Sequence, residues 1–140
     1  MEQLLEFAGN HTVMVAGFAA VLLALIWNLA TDPGGKNAVD ASTATAMINH
    51  EDALVLDVRS MAEFKDGHIV NAINIPINSL GSNLKQLEKH RNRPVVAVCR
   101  SGSRSGAACN VLRKNGFDNV KNLRGGMLAW ENASLPVKRK

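Results

Sequence analysis

Apolar residues follow two rhythms along the chain. From Val13 to Ile26 they are almost continuous, whereas beyond residue 37 they come in short runs separated by segments with one apolar stripe. A stretch apolar on every side predicts a helix with no polar face, while short apolar runs alternating with helix-period stripes predict strands and helices of a parallel α/β domain.

Within the second region the elements follow in order. Ala38-Val39 is a short first strand, and Ser42 is placed to cap a helix over Thr43 to Asn49. Ala53-Leu54-Val55-Leu56 is a buried strand ending at Asp57-Val58-Arg59. Ser60-Met61-Ala62-Glu63 has the capping-box pattern, so a short helix runs through Phe64 and Lys65 until Asp66-Gly67 ends it. A further strand lies near Ala72 to Ile75, stopped by Pro76, and Ser79 to His90 is expected to be helical with Leu80, Leu84 and Leu87 on one face.

After Pro94, the run Val95-Val96-Ala97-Val98 suits a strand buried on both faces. A polar loop follows, then a helix with Ala107, Ala108, Val111 and Leu112 as its stripe and Gly116 as its stop. Val120 to Leu123 is a last strand, and Gly125-Gly126 turns the chain into a closing helix carrying Leu128 and Trp130. Strand and helix alternation predicts a parallel sheet of about five strands covered on both faces.

The N-terminal region has a different character. No charged residue occurs from Phe7 to Ala30, and a helix of that length spans roughly 36 Å, against a hydrocarbon core of about 30 Å. A single transmembrane helix is therefore expected within residues 1–30. A secretory signal fits less well, because its first segment should be basic and Met1 to Glu6 holds two glutamates and no Lys or Arg. Residues 31–37, rich in Pro and Gly, are the expected linker, and 38–140 the soluble domain.

Orientation follows from charge. Every one of the sixteen Lys and Arg lies from Lys36 onward, together with nine of the twelve carboxylates, so the domain is basic. The uncharged-to-acidic N-terminus should cross the bilayer and leave the domain in the cytoplasm of a bacterial inner membrane. Trp27 fits an interfacial anchor, and Ala16, Ala20 and Ala24 with Gly17 offer a small-residue face to a membrane-protein partner. The basic charges are scattered and lack interleaved aromatics, which argues against nucleic acid. The terminal Lys138-Arg139-Lys140 is a solvated tail able to touch acidic headgroups.

The chemistry centres on Cys99-Arg100-Ser101-Gly102-Ser103-Arg104-Ser105, where the most apolar strand gives way to a helix. Ligands of open parallel sheets bind beyond the carboxyl ends of the strands. Loop amides, the helix N-terminus, Arg100 and Arg104 all favour negative charge, so Cys99 is expected to be a thiolate nucleophile. A working thiolate implies a reducing compartment. Cys109 falls inside the following helix and is expected to be a packed small residue. The histidines His11, His50, His68 and His90 have no ligand spacing with either cysteine, so neither metal nor cofactor is expected.

Several separated motifs agree with one family. Leu56-Asp57-Val58-Arg59, Glu63-Phe64, Gly67-His68-Ile69, Ala72 to Pro76, Cys99 to Arg104, and Gly125-Gly126 with Trp130 and Pro136 resemble the rhodanese domain in order and spacing, over residues 38 to 137. With its N-terminal stretch, the whole chain resembles the bacterial membrane-anchored single-domain rhodaneses. That resemblance implies a three-layer α/β/α fold and a sulfurtransferase, in which Cys99 takes a sulfane sulfur from a small anionic donor such as thiosulfate. The resulting persulfide passes it to cyanide, a small thiol or a protein cysteine.

Under that resemblance the backbone from Arg100 to Arg104 forms the cradle, with Arg100 and Arg104 offering charge to the donor or positioning the loop. Gly102 allows close approach, Ser101 and Ser103 either donate to the persulfide or suit the turn, and Asp57 and Arg59 are structural neighbours of the loop. His68 is expected to pack. Asn71 stands where the pattern usually has glycine or proline, and asparagine tolerates the left-handed backbone the turn needs.

Two rivals remain. Dual-specificity phosphatases share the fold, but their arginine follows the cysteine after five residues, whereas here Arg104 arrives one residue sooner. A membrane-tethered adaptor that recruits another membrane protein is compatible with the same anchor.

Overall fold

The computed structural model describes residues 1–31 and 37–140, and the chain divides into two units, Met1–Pro33 and Gly34–Lys140. The linker expected over 31–37 lies, from Asp32 to Lys36, outside the described residues.

The first unit corrects the expectation of one straight span. Helix α1 (Glu2–Asn10) ends at His11, and α2 (Thr12–Thr31) starts afresh, with a bend of 97° between Glu2–Asn10 and Thr12–Asn28. Gly9 and Asn10 are weak helix formers, and the Thr12 hydroxyl donates to the Ala8 and Gly9 carbonyls at 3.3 and 3.0 Å, competing with the helical ladder. Among the described residues no single helix is long and apolar enough to cross a membrane; only the bent pair together has the length and composition. Large apolar side chains of α2, including Phe18, Leu23 and Ile26, are exposed.

The second unit is built on a five-stranded parallel sheet in the order β1-β5-β4-β2-β3, comprising β1 (Ala38–Val39), β2 (Leu54–Asp57), β3 (Ile73–Asn74), β4 (Val95–Val98) and β5 (Val120–Leu123). Strand alternation sorts the core into two layers. Leu54, Leu56, Val95, Ala97 and Cys99 face one way, onto α5 (Ile77–Leu80), a 3-10 helix (Leu84–His90) and α6 (Ser103–Lys114). Val55, Val96 and Val98 face the other, onto α3 (Ala41–His50) and α7 (Gly126–Asn132), giving helices on both faces as expected. Helix α4 (Met61–Asp66) links β2 to the stretch before β3.

Three local expectations are corrected. Asp40, not Ser42, caps α3: its carboxylate accepts from Thr43 N at 2.7 Å, so the helix begins at Ala41. The helix expected over Ser79 to His90 is two pieces, because Gly81-Ser82 interrupt it and the second piece winds as a 3-10 helix; Leu80 and Leu87 are still buried. Ala107 and Leu128 are exposed, and Ser105, Cys109 and Met127 take the buried places. Asn71 has φ 65°, the left-handed turn expected of it.

Candidate active site

Cys99 follows the last residue of β4, and its turn is made possible by Gly102, which holds φ 105° immediately before α6. An ordinary side chain resists that conformation. The turn brings the Gly102 amide to donate to Cys99 Sγ at 3.0 Å, while the Ser105 hydroxyl lies 3.2 Å from the same sulfur. Burial pushes the thiol's pKa up, but the Ser105 hydroxyl and the amides of Ser105, Gly102 and Ser101 outweigh it, so the net shift is downward.

The loop carbonyls are engaged by a segment that comes later in the chain. Met127 N donates to Cys99 O at 2.8 Å and Leu128 N to Arg100 O at 3.2 Å, so the first turn of α7 grips the loop. Gly126 permits this contact, since a Cβ there would run into the Cys99 and Arg100 carbonyls.

Arg104 does not stand free for an anionic donor. Its guanidinium donates to both Glu63 oxygens, at 3.0 and 2.9 Å, and Glu63 also closes the α4 capping box by accepting from Ser60 N at 3.0 Å. The Arg104 and Ser60 donors lower the Glu63 pKa to about 2. Arg100 is exposed and lines an open cavity beside Arg59, Glu63, Asp66, Leu128 and Glu131. Cys99 itself is 0 % exposed and is not part of that lining.

Asp57 and Arg59 form a buried pair at 2.7 Å, and Arg59 also donates to Gly67 O, which ties β2 to the end of α4 rather than to the Cys99 loop. The hydroxyls of Ser101 and Ser103 are exposed residues' groups with no bond to the sulfur among the described residues. His68 stacks on Phe64 with centroids 3.7 Å apart. Cys109 is buried, and burial raises its pKa to about 11. Among the described residues no cluster of His, Cys, Asp or Glu could hold a metal.

Two polar contacts of the site went unassigned in the sequence. Ser105 Oγ lies 2.5 Å from Asn122 Oδ1, and Asn122 Nδ2 donates to Gly102 O at 2.9 Å. The available signal is an asparagine in an interior strand, in register with Ala97 two residues before the cysteine.

The comparisons agree with this geometry. Residues 40–133 match the rhodanese-like domain family model. The likeness to the uncharacterized protein YibN of Escherichia coli strain K12 runs the whole chain, at 33 % identity over 99 % of each sequence. A protein named sulfurtransferase from Allochromatium vinosum is 37 % identical over 72 % of this chain and 94 % of its own. The crystal structure of a rhodanese-related protein from Thermoplasma volcanium superposes with a TM-score of 0.65 and 35 % identity, covering 74 % of this chain and 99 % of its own. From the five-stranded sheet, the amide-lined turn after its central strand and these likenesses together, the chain belongs to the rhodanese-like domain family.

Proposed function

We propose that this chain is a sulfurtransferase carrying sulfane sulfur as a persulfide on Cys99. The observation that supports it most is the convergence of the Gly102 amide and the Ser105 hydroxyl on one sulfur whose pKa they help lower. The Cys99 thiolate attacks the outer sulfur of a donor such as thiosulfate, the donor's S–S bond breaks, and sulfite leaves with the bonding pair. Cyanide or an acceptor thiolate then attacks the outer persulfide sulfur and returns Cys99 as thiolate. Splitting the transfer in two keeps the charge on sulfur beside fixed donors throughout.

Arg100, exposed at the cavity edge, is the cation available to an arriving anion, since Arg104 is held by Glu63. Cys99 is itself fully covered. That covering favours one other reading, a recruiting module whose cysteine only packs.

Incubating the full chain with thiosulfate should add one sulfur, 32 Da, to the Cys99 peptide, and Cys99→Ser should abolish both adduct and thiocyanate formation from cyanide. No adduct with thiosulfate or another sulfane donor overturns the sulfurtransferase reading and leaves the recruiting one. Aryl-phosphate hydrolysis without sulfur transfer would instead favour the phosphatase.

We also infer that residues 7–30 attach the chain to a bilayer through the bent pair, with the rhodanese domain on the cytoplasmic side of a bacterial inner membrane. Exposed apolar side chains around α2 and the lack of charge from Phe7 to Ala30 support this. The full chain should stay with membranes through an alkaline carbonate wash and leave only with detergent; release by carbonate refutes it.

A further inference from the structure

The polar contacts around Cys99 do not all act in one direction. Ser105 has a single hydroxyl hydrogen, and two acceptors flank it: Cys99 Sγ at 3.2 Å and Asn122 Oδ1 at 2.5 Å. The asparagine is not free to exchange its two ends, because Nδ2 donates to the Gly102 carbonyl at 2.9 Å. This bond turns the acceptor oxygen, not the amino group, toward the serine. The backbone holds the side chain's origin as well, since Asn122 N donates to Asn37 O at 2.8 Å and the residue sits in register with Ala97 of β4. Ser105 is fully buried, so its hydrogen has these two partners to choose between.

We propose that Asn122 is a positioning residue that competes with Cys99 for the Ser105 hydrogen, so that Ser105 donates to the sulfur only while its hydroxyl is turned off Asn122 and otherwise offers the thiol a lone pair. The serine hydrogen stays bonded to Oγ throughout, and the thiol proton itself leaves to solvent on ionisation. Asn122 thus opposes the loop amides. A thiolate becomes less nucleophilic as its pKa falls, so this opposition keeps Cys99 ionisable while preserving its reactivity. Once the outer persulfide sulfur carries the charge, Sγ is a poorer acceptor and the hydrogen returns to Asn122.

Other groups act on the same sulfur. Arg104 and Cys109, both on α6, interact with it electrostatically, and Arg104 is itself paired with Glu63 on α4. Asn122 reaches the site through Ser105 and Gly102 O, so its effect is separable from these charges.

The inference rests on Cys99 as the reacting sulfur, and its test reads the thiol without any sulfur donor, so it can fail while sulfur transfer stands. The pH dependence of iodoacetamide addition to Cys99 in the full chain, followed on its peptide by mass spectrometry, gives the thiol midpoint. Asn122→Ala should lower that midpoint by about half to one unit, and the shift should vanish in a Ser105→Ala background. A rise in the midpoint, no change, or a shift that persists without Ser105 overturns the proposal, because loss of the Gly102 contact alone would loosen the turn and act in those ways. Asn122→Leu, of similar volume and suited to a strand, should give the same sign if the alanine variant does not fold. Ser105→Ala alone should move the midpoint by less than half a unit; a rise above one unit shows the hydroxyl already committed to sulfur and overturns the proposal independently.

Discussion

Glu63 joins α4 to α6, and replacing it by alanine should measurably weaken the domain. The carboxylate closes the α4 capping box and holds Arg104, in the first turn of α6, through two bonds. Its pKa of about 2 compares with about 4.3 for an unfolded chain, a gap worth about 3 kcal/mol at neutral pH if taken whole. The side chains are 38 % and 33 % exposed for Arg104 and Glu63, so solvent screening cuts that to about 1.5 kcal/mol. A lost N-cap interaction of about 1 kcal/mol with an exposed ion pair of about 0.5 kcal/mol gives the same size.

For a domain of this length Glu63→Ala should therefore lower the Tm of the rhodanese unit by about 8 °C at pH 7. Because the folded carboxyl titrates below the unfolded one, its contribution is complete above the unfolded value and disappears as pH falls from about 4.3 toward 2. Thermal melts of the full chain in detergent, wild type against variant, at steps from pH 7 to pH 2.5, read both features. Equal melting at pH 7 would refute the coupling of α4 to α6. A gap that stays constant down to pH 2.5 would show that packing, not charge, carries it.

Asp57→Asn leaves the buried Arg59 guanidinium without its counter-charge and should cost about 3–5 kcal/mol in urea unfolding; a loss below about 1 kcal/mol would contradict the burial argument. Gly126→Ala, at φ 56° and against the Cys99 and Arg100 carbonyls, should cost about 2–4 kcal/mol and sharply reduce thiocyanate formation, and an unaffected rate would mean the grip of α7 is dispensable. In native chain at pH 8 iodoacetamide should modify Cys99 first, with a midpoint below the ordinary thiol value of about 8.5, while Cys109, raised to about 11 by burial, reacts only under denaturing conditions. Comparable native labelling of both would refute the contrast.

Much of this was legible because short-range rules and the tertiary structure agree. Four apolar residues after a proline became β4, and Ser60 with Glu63 became a capping box. Failures came where two local signals competed. Asp40 and Ser42 can each cap a helix, and the choice went to the aspartate whose carboxylate reaches Thr43 N. Leu80, Leu84 and Leu87 keep helical spacing whether or not Gly81 breaks the helix between them, so periodicity could not reveal the break. The pairing of Arg104 with Glu63 spans 41 positions and the bond between Ser105 and Asn122 spans 17, and neither a helix nor a strand pattern hints at what a polar side chain that distant will meet.

The grip of α7 on the carbonyls of Cys99 and Arg100 sets a schedule for synthesis. Twenty-eight residues separate Cys99 from Met127, so when the cysteine first emerges from a ribosome the segment that fixes its turn is still inside the exit tunnel. Until then the nascent thiol has the acidity of an unstructured peptide. The surroundings of this sulfur are thus completed only after α7 has left the ribosome, late in the making of the domain.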